Sequence, residues 1–119
     1  MKKNATRRSR SGTRPLDAEQ LQAVAELFGV LSEPSRLRIL QALHSGESSV
    51  GELVRRCGIK QANMSRQLGV LAAAGVIARR QDGNRVLYRI DMPLVPKLCD
   101  LVCVSVAKKA SERAKALGK

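Results

Sequence analysis

Aromatic residues are almost absent from this chain of 119 residues, which has no Trp and only one Phe and one Tyr, Phe28 and Tyr88. Proteins that hold single-stranded nucleic acid stack its bases on aromatic side chains, so that mode of binding is disfavoured. Hydrophobic residues still make up 44% of the sequence. The core must therefore consist of Leu, Val, Ile and Ala, a composition typical of packed helices.

Long apolar runs are also missing. No stretch reaches the length needed to cross a membrane, and no hydrophobic region follows the basic N-terminus as it would in a secretory signal. The three cysteines, Cys57, Cys99 and Cys103, are an odd number, which argues against a structural disulfide framework. These absences predict a cytoplasmic protein with free thiols and no membrane partner.

Residues for catalysis are scarce. His44 is the only histidine, and the sequence has no candidate catalytic triad, no glycine-rich phosphate loop and no H-E-x-x-H motif. Cys99 and Cys103 are separated by three residues, whereas thiol oxidoreductases use Cys-x-x-Cys. The chain is therefore predicted not to be an enzyme, and zinc or nickel sites that need several histidines are not expected.

Acidic residues are few, and the formal net charge is +12. A charge of this size and sign points to a polyanionic partner, and nucleic acid is the usual one. Residues 1–15 contain no acidic residue and no apolar run. This composition predicts a disordered basic arm that either follows DNA or only aids solubility. Half of the net charge lies in this arm, at Lys2, Lys3, Arg7, Arg8, Arg10 and Arg14.

Helical periodicity begins after the arm. A capping box at Ser49–Glu52 predicts the start of a short helix, and Gly58 predicts its end, because glycine accepts the left-handed conformation. Gly58-Ile59-Lys60 then forms a tight turn before the next helix. The four helices predicted from spacing, caps and prolines cover residues 17–32, 34–45, 50–57 and 61–74.

Alternation with a period of two follows from Val76, and Asp82-Gly83 is a strong hairpin signal. The returning strand is predicted over 85–90, and a last helix over about 93–115. Two helices joined by a tight turn form a helix-turn-helix unit. The order α-α-α-α-β-β-α thus predicts a mainly α chain with a two-stranded β-wing (α+β), a winged helix-turn-helix.

Residues 31–40, LSEPSRLRIL, resemble the L-x-x-P-x-R-L-x-I-L signature of the ArsR/SmtB repressors, and segments 50–53, 61–68, 71–77 and 84–90 are similar to further motifs of that family. The resemblance covers about residues 17–105. It implies a homodimer formed through the first and last helices, operator binding that represses genes, and release by an inducer. Residues 16–119 are accordingly expected to form one winged helix-turn-helix domain for DNA binding and dimerisation.

The chain departs from the family pattern at several positions. Gln67 replaces a common histidine, and Lys60 replaces the common Ser or Thr cap of the recognition helix; both are expected to alter the surface offered to DNA. The Cys-Val-Cys run of arsenic- and cadmium-sensing members is absent. Cys57, at the end of the third helix, is expected to be a packing residue.

The fourth helix and the hairpin carry the predicted contacts with double-stranded operator DNA. Gln and Asn can bind adenine bidentately and Arg can bind guanine, so an exposed helix face with these residues suits the major groove. Basic residues near the hairpin tip suit the backbone or minor groove; the alternative is charges that only protect a sheet edge. The predicted DNA-binding residues are Gln61, Ala62, Asn63, Ser65 and Arg66 on the helix, and Arg79, Arg80, Asn84 and Arg85 on the wing.

Cys99 and Cys103 lie four residues apart and so share one face of the last helix. One interpretation is a seam between two protomers, in which cysteine acts as a small hydrophobic residue. The other is a sensing site, which binds a soft ligand such as trivalent arsenic or antimony or instead reacts with an oxidant or reactive sulfur. A disulfide within the helix is strained, since Cβ atoms at this spacing are about 5–6 Å apart and a disulfide needs about 3.5–4.5 Å.

The predicted function is therefore a dimeric, sequence-specific transcriptional repressor, released by an inducer at these thiols and needing no other cofactor. Two alternatives stay open. One is a repressor with structural cysteines and no small inducer, and the other is a sequence-neutral basic DNA-binding protein. A specific repressor should prefer its own operator over unrelated DNA by roughly a thousandfold or more.

Overall fold

A computed structural model describes residues 14–118, so the predicted arm lies outside the described residues except for its last two positions. Five helices and three strands follow in the order helix, helix, strand, helix, helix, strand, strand, helix. Their bounds are α1 Ala18–Leu31, α2 Pro34–Leu43, β1 Ser48–Ser49, α3 Val50–Cys57, α4 Gln61–Ala73, β2 Ile77–Asp82, β3 Arg85–Ile90 and α5 Leu94–Ala116.

Helices α1 and α3 begin where side chains satisfy their free amide groups. Before α1, the amide of Gln20 donates to Asp17 at 2.8 Å and the amide of Asp17 donates to the Gln20 side chain at 3.0 Å. The same reciprocal pair opens α3 between Ser49 and Glu52. Such capping boxes satisfy two orphan donors at once and fix the point at which a helix starts. The predicted starts of α1 and α3 are thus confirmed.

The core is aliphatic and lies where α2, α3 and α4 pack against one another. Each of these helices contributes buried apolar residues, and Val95 from the start of α5 closes the core. Complete burial of a Leu or Ile side chain contributes about 1.5–3 kcal/mol, so this cluster is the main source of stability. Its fully buried members are Ile39, Leu53, Met64, Leu68, Leu71, Val76 and Val95.

The sheet has three strands in the order β1-β3-β2, all antiparallel, rather than the predicted two. The hairpin β2–β3 turns at Asp82–Arg85 as expected, and Ser48 and Ser49 pair with Tyr88 and Leu87. Ser49 is extended because it is the N-cap of α3, and this conformation suits a strand as well. The wing is therefore tied to the helix-turn-helix through the segment that opens α3.

Helices α1 and α5 carry most of the large apolar side chains that are exposed. On α1 these are Leu21, Val24 and Phe28, the last 53% exposed, and on α5 they include Leu101, which is 71% exposed. Isolated exposed leucines are ordinary on a protein surface, but a continuous apolar face marks a surface for another protein. Within residues 14–118, no helix is at once long and apolar enough to pass through a membrane.

Candidate nucleic-acid interface

Helix α4 is held between a tight turn and the wing. Gly58 ends α3 in the left-handed region at φ 67°, which costs glycine nothing but strains other residues. Ile59 is buried and fixes the turn in the core, and Lys60 caps α4 without a side-chain hydrogen bond. These contacts fix the helix so that its opposite face is free to meet a ligand.

The outer face of α4 carries most of the predicted base-reading residues. Met64, Leu68 and Leu71 turn inward and are buried. The predicted residues lie on the other side of the helix, with Asn63 half-buried at the margin; the exposed ones are Gln61, Ala62, Ser65 and Arg66.

Gln67 does not belong to that outer face. It was expected to alter the surface offered to DNA, and that expectation is wrong, because its side chain is only 6% exposed. Met64, Gln67 and Leu71 are three or four residues apart, so helical geometry places all three on one face. Gln67 is thus a polar residue within an otherwise apolar helix face, and this spacing was the signal in the sequence that position 67 is buried. Lys60, by contrast, is exposed.

A chain of hydrogen bonds passes beneath α4. Arg36 on α2 donates through Nη1 to the carbonyl of Val30 at 2.9 Å and through Nε to Gln67 Oε1 at 2.8 Å. Gln67 Nε2 donates to Asn63 Oδ1 at 3.0 Å, and Arg66 Nη2 donates to the same oxygen at 2.7 Å. The end of α1 is thus linked through α2 to two of the predicted DNA-binding residues.

The wing presents its basic residues unequally. Arg80 forms a bidentate ion pair with Glu47, with Nε–Oε2 and Nη2–Oε1 distances of 2.7 and 2.9 Å. The hydrogen bond from Arg80 lowers the pKa of the Glu47 carboxyl, which therefore stays ionised. Arg85 lies 3.7 Å from Asp82 in a looser pair. Arg79 and Asn84 are exposed.

Glu47 was missed by sequence reasoning, because nothing in its local pattern predicts a partner 33 residues away. An Arg–carboxylate pair of this geometry competes with phosphate for the same guanidinium. Arg80 is consequently less available to DNA than Arg79, although both are exposed.

The cysteines occupy two environments. Cys57 is buried in the core, as expected, and its Sγ donates to the Arg38 carbonyl at 3.8 Å. Cys99 is half-buried and Cys103 exposed on α5. Burial, then the neighbouring Cys103 and Asp100, raise the pKa of the Cys99 thiol.

Cys99 and Cys103 border a cavity of about 410 Å³ between α2 and α5. Its polar lining also includes Arg38, His44 and Asp100. Among residues 14–118, no group of three or more His, Cys, Asp or Glu side chains is placed to hold a metal ion. Within this described part of one protomer, no third side chain of these types is therefore placed beside the two thiols to share a metal ion.

Comparison with known proteins assigns this architecture to a family. A family model described as a helix-turn-helix domain matches residues 31–80. The HTH-type transcriptional regulator Rv0081 of Mycobacterium tuberculosis is 42% identical over 90 residues, which cover 75% of this chain and 79% of that protein.

Two solved structures are similar along most of the chain. The homodimeric winged helix-turn-helix domain of Mb0332 from Mycobacterium bovis, a possible ArsR-family regulator, is 30% identical with a TM-score of 0.73, covering 85% of this chain and 94% of its own. The antimony-specific transcriptional repressor AntR is 30% identical with a TM-score of 0.74, and the match covers 84% of this chain and 91% of the AntR chain. The chain thus belongs to the ArsR family of winged helix-turn-helix transcriptional regulators, which bind DNA and are not enzymes.

Proposed function

We propose that the protein is a homodimeric, sequence-specific repressor that places α4 in the major groove of its operator. The observation that carries this proposal is the polar outer face of α4, held rigidly between the turn at Gly58 and the three-stranded wing. An exposed helix face of this kind fits the width of the major groove. The residues that contact base edges are Gln61, Ala62, Asn63, Ser65 and Arg66.

The wing contacts the DNA backbone beside the groove. Arg79, Asn84 and Arg85 bind phosphates, and Arg80 contributes mainly by fixing the wing to Glu47. Phosphate contacts position a protein on DNA but carry no sequence information directly. Loss of a wing arginine should therefore weaken binding to every sequence alike.

Two protomers associate through the apolar faces of α1 and α5. Phe28 and Leu101 are exposed in the isolated chain, and the similar Mb0332 domain is homodimeric. A two-fold dimer presents two recognition helices to two half-sites, so the operator should be a near-palindrome with half-sites about one helical turn apart or a multiple of it.

Fluorescence anisotropy tests the DNA-binding proposal. The labelled duplex comes from upstream of the protein's own gene, and the competitor is unrelated DNA. We expect a preference of roughly a thousandfold for the operator, and Gln61→Ala should cost about 1–3 kcal/mol on it with little change on unrelated DNA. Arg79→Ala is the matched backbone variant and should weaken both. Equal affinity of the wild type for both duplexes would instead support the sequence-neutral alternative.

We further propose that trivalent arsenic or antimony, bound by Cys99 and Cys103, releases the protein from its operator. Soft thiolates suit such ions, the two thiols share a helix face, and the similar AntR is an antimony-specific repressor. Because the described residues of one protomer place no third such side chain beside these thiols, a thiol from the partner protomer completes the site across the two-fold axis.

The same anisotropy assay separates the possible inducers. Arsenite or antimonite should release the reduced wild type, whereas Cys103→Ser should stay bound and Cys57→Ala should behave as the wild type. Release by a thiol oxidant but not by either metalloid would transfer the role to redox sensing. Continued binding under all these conditions would leave a repressor with structural cysteines.

A further inference from the structure

The hydrogen bonds beneath α4 have a fixed polarity. A guanidinium group has five donors and no acceptor. The Gln67 atom that meets Arg36 must therefore be Oε1, and the Gln67 atom that faces Asn63 must be the donor Nε2. Arg36 thus decides which way the buried amide of Gln67 is turned.

The same polarity passes on to Asn63. Gln67 Nε2 and Arg66 Nη2 can only donate, so the Asn63 atom that receives both is Oδ1, at 3.0 and 2.7 Å. A carbonyl oxygen has two lone pairs, and both are now used. The side chain of Asn63 is left with Nδ2, which carries donors only and makes no hydrogen bond to another residue within 14–118.

This polarity is protected from solvent. Gln67 is only 6% exposed, so water cannot readily replace a partner that it loses. A buried amide that is turned the wrong way would leave two polar groups without hydrogen bonds, which is unfavourable where water cannot replace the lost partner. The arrangement of Asn63 is therefore determined from inside the protein before DNA arrives.

We propose that Gln67 is a specificity-determining positioning residue, which makes Asn63 a donor-only reader of bases and so selects guanine over adenine. The inference rests on the proposed placement of α4 in the major groove. An unconstrained Asn binds adenine bidentately, donating to N7 while its oxygen accepts from the N6 amino group. Here Gln67 Nε2 and Arg66 Nη2 occupy that oxygen, and the other guanidinium donors of Arg66 stay available to DNA. Guanine offers two acceptors, N7 and O6, and no donor on this edge of the base.

The decisive variant is Gln67→Glu, which keeps the size of the side chain. A carboxylate still accepts from Arg36 but cannot donate to Asn63, and it repels Oδ1. The Asn63 amide therefore turns over to donate through Nδ2, while the exposed Arg66 guanidinium leaves Oδ1 to pair with the new carboxylate, so that Oδ1 is directed outward. The side chain then offers an acceptor, which suits the amino groups of adenine and cytosine. Gln67→Met removes both hydrogen bonds without imposing either polarity.

Base preference is measured by selection from a randomised duplex pool, followed by affinities on four duplexes that differ at one base pair. The position read by Asn63 is the one at which Asn63→Ala removes the preference. There we expect the wild type to favour guanine over adenine about tenfold, Gln67→Glu to reverse the order, and Gln67→Met to show almost none.

Two controls accompany these variants. Gln81→Glu adds the same charge on the exposed wing, and it should weaken all duplexes alike without changing the preferred base. Gln67→His supplies one acceptor and one donor and should retain guanine. If Gln67→Glu does not fold, as judged by thermal unfolding, the contrast between Gln67→His and Gln67→Met tests the same point.

A wild type that selects a sequence, with a base preference unchanged in Gln67→Glu and Gln67→Met, overturns the inference and leaves the repressor standing. A wild type that selects no sequence overturns both. Side-chain amide NMR gives a reading without DNA: the Gln67 amide protons should exchange slowly with solvent, and rapid exchange contradicts the buried network.

Discussion

Cys57 and Cys99 hold their protons more tightly than a thiol in water. Burial is the main reason that the pKa of each lies above its ordinary value. The folded state therefore binds more protons than the unfolded chain as the pH passes the ordinary thiol pKa, and the free energy of unfolding falls as the pH rises there. The same shift leaves little thiolate at neutral pH, and thiolate is the reactive form.

Alkylation kinetics test these environments. With iodoacetamide, we expect Cys57 to react slowest because it is buried, and Cys99 to react more slowly than in the unfolded chain. The Cys99 rate should keep rising above about pH 8.5, the ordinary thiol pKa. Labelling of each cysteine is followed by peptide mass spectrometry. A Cys99 rate that levels off below pH 8 would mean a lowered pKa, which favours a redox sensor over a metalloid site.

At the scale of elements, two glycines have opposite roles. Gly58 ends α3 at φ 67°, whereas Gly69 is exposed inside α4 with no atom near the place where a Cβ would stand. Gly58→Ala should destabilise the protein by about 1–2 kcal/mol through the left-handed conformation. Gly69→Ala, the matched control, should stabilise it by about 0.5–1 kcal/mol.

Chemical unfolding followed by circular dichroism measures both variants. The changes in the free energy of unfolding should have opposite signs, because the same methyl group is added to a turn in one variant and to a helix in the other. A neutral Gly58→Ala would contradict the role of this turn in fixing α4. Operator affinity should fall with Gly58→Ala by more than its loss of stability alone explains, because the turn orients the recognition helix.

The boundaries of these elements were largely predictable, and their tertiary partners were not. Capping residues such as Asp17 and Ser49 act within three positions of the chain, so the sequence displays them directly. The strand at 48–49 is too short for any periodicity, and it exists because β3 lies beside it. The Arg36–Gln67 and Arg80–Glu47 contacts join residues more than 30 positions apart. Only the three-dimensional fold reveals which polar side chains are already occupied.

For the whole molecule, dimerisation depends on apolar surface that the single chain leaves open. Phe28→Arg places a charge in the proposed interface without a partner, which should cost about 3 kcal/mol or more. We expect this variant to be monomeric in analytical ultracentrifugation and to bind the operator at least a hundredfold more weakly. Gln22→Arg adds the same charge to α1 outside the apolar face formed by Leu21, Val24 and Phe28, and it should remain dimeric. A dimeric Phe28→Arg would move the interface elsewhere.

Positive charge is the second property of the whole molecule, and the salt dependence of its affinity for DNA shows how many phosphates that charge neutralises. Each phosphate that the protein neutralises releases condensed cations, so the logarithm of affinity falls linearly with the logarithm of salt concentration, with a slope of about −0.9 per phosphate. With six to ten phosphates neutralised per dimer, we expect a slope of roughly −5 to −9. A flat dependence on operator DNA would contradict the proposed interface.

The contribution of the basic arm to that slope can be measured by removing its charges. Replacing Lys2, Lys3, Arg7, Arg8 and Arg10 with Gln keeps the chain length and removes five positive charges from each protomer. If the arm follows phosphates, the slope becomes shallower by about one for each phosphate that is no longer neutralised, and operator and unrelated DNA are weakened equally, because backbone binding is blind to sequence. An unchanged slope assigns the arm to solubility alone. In that case the wing and α4 account for the whole electrostatic attraction, and Arg79→Ala should then reduce the slope by about two per dimer.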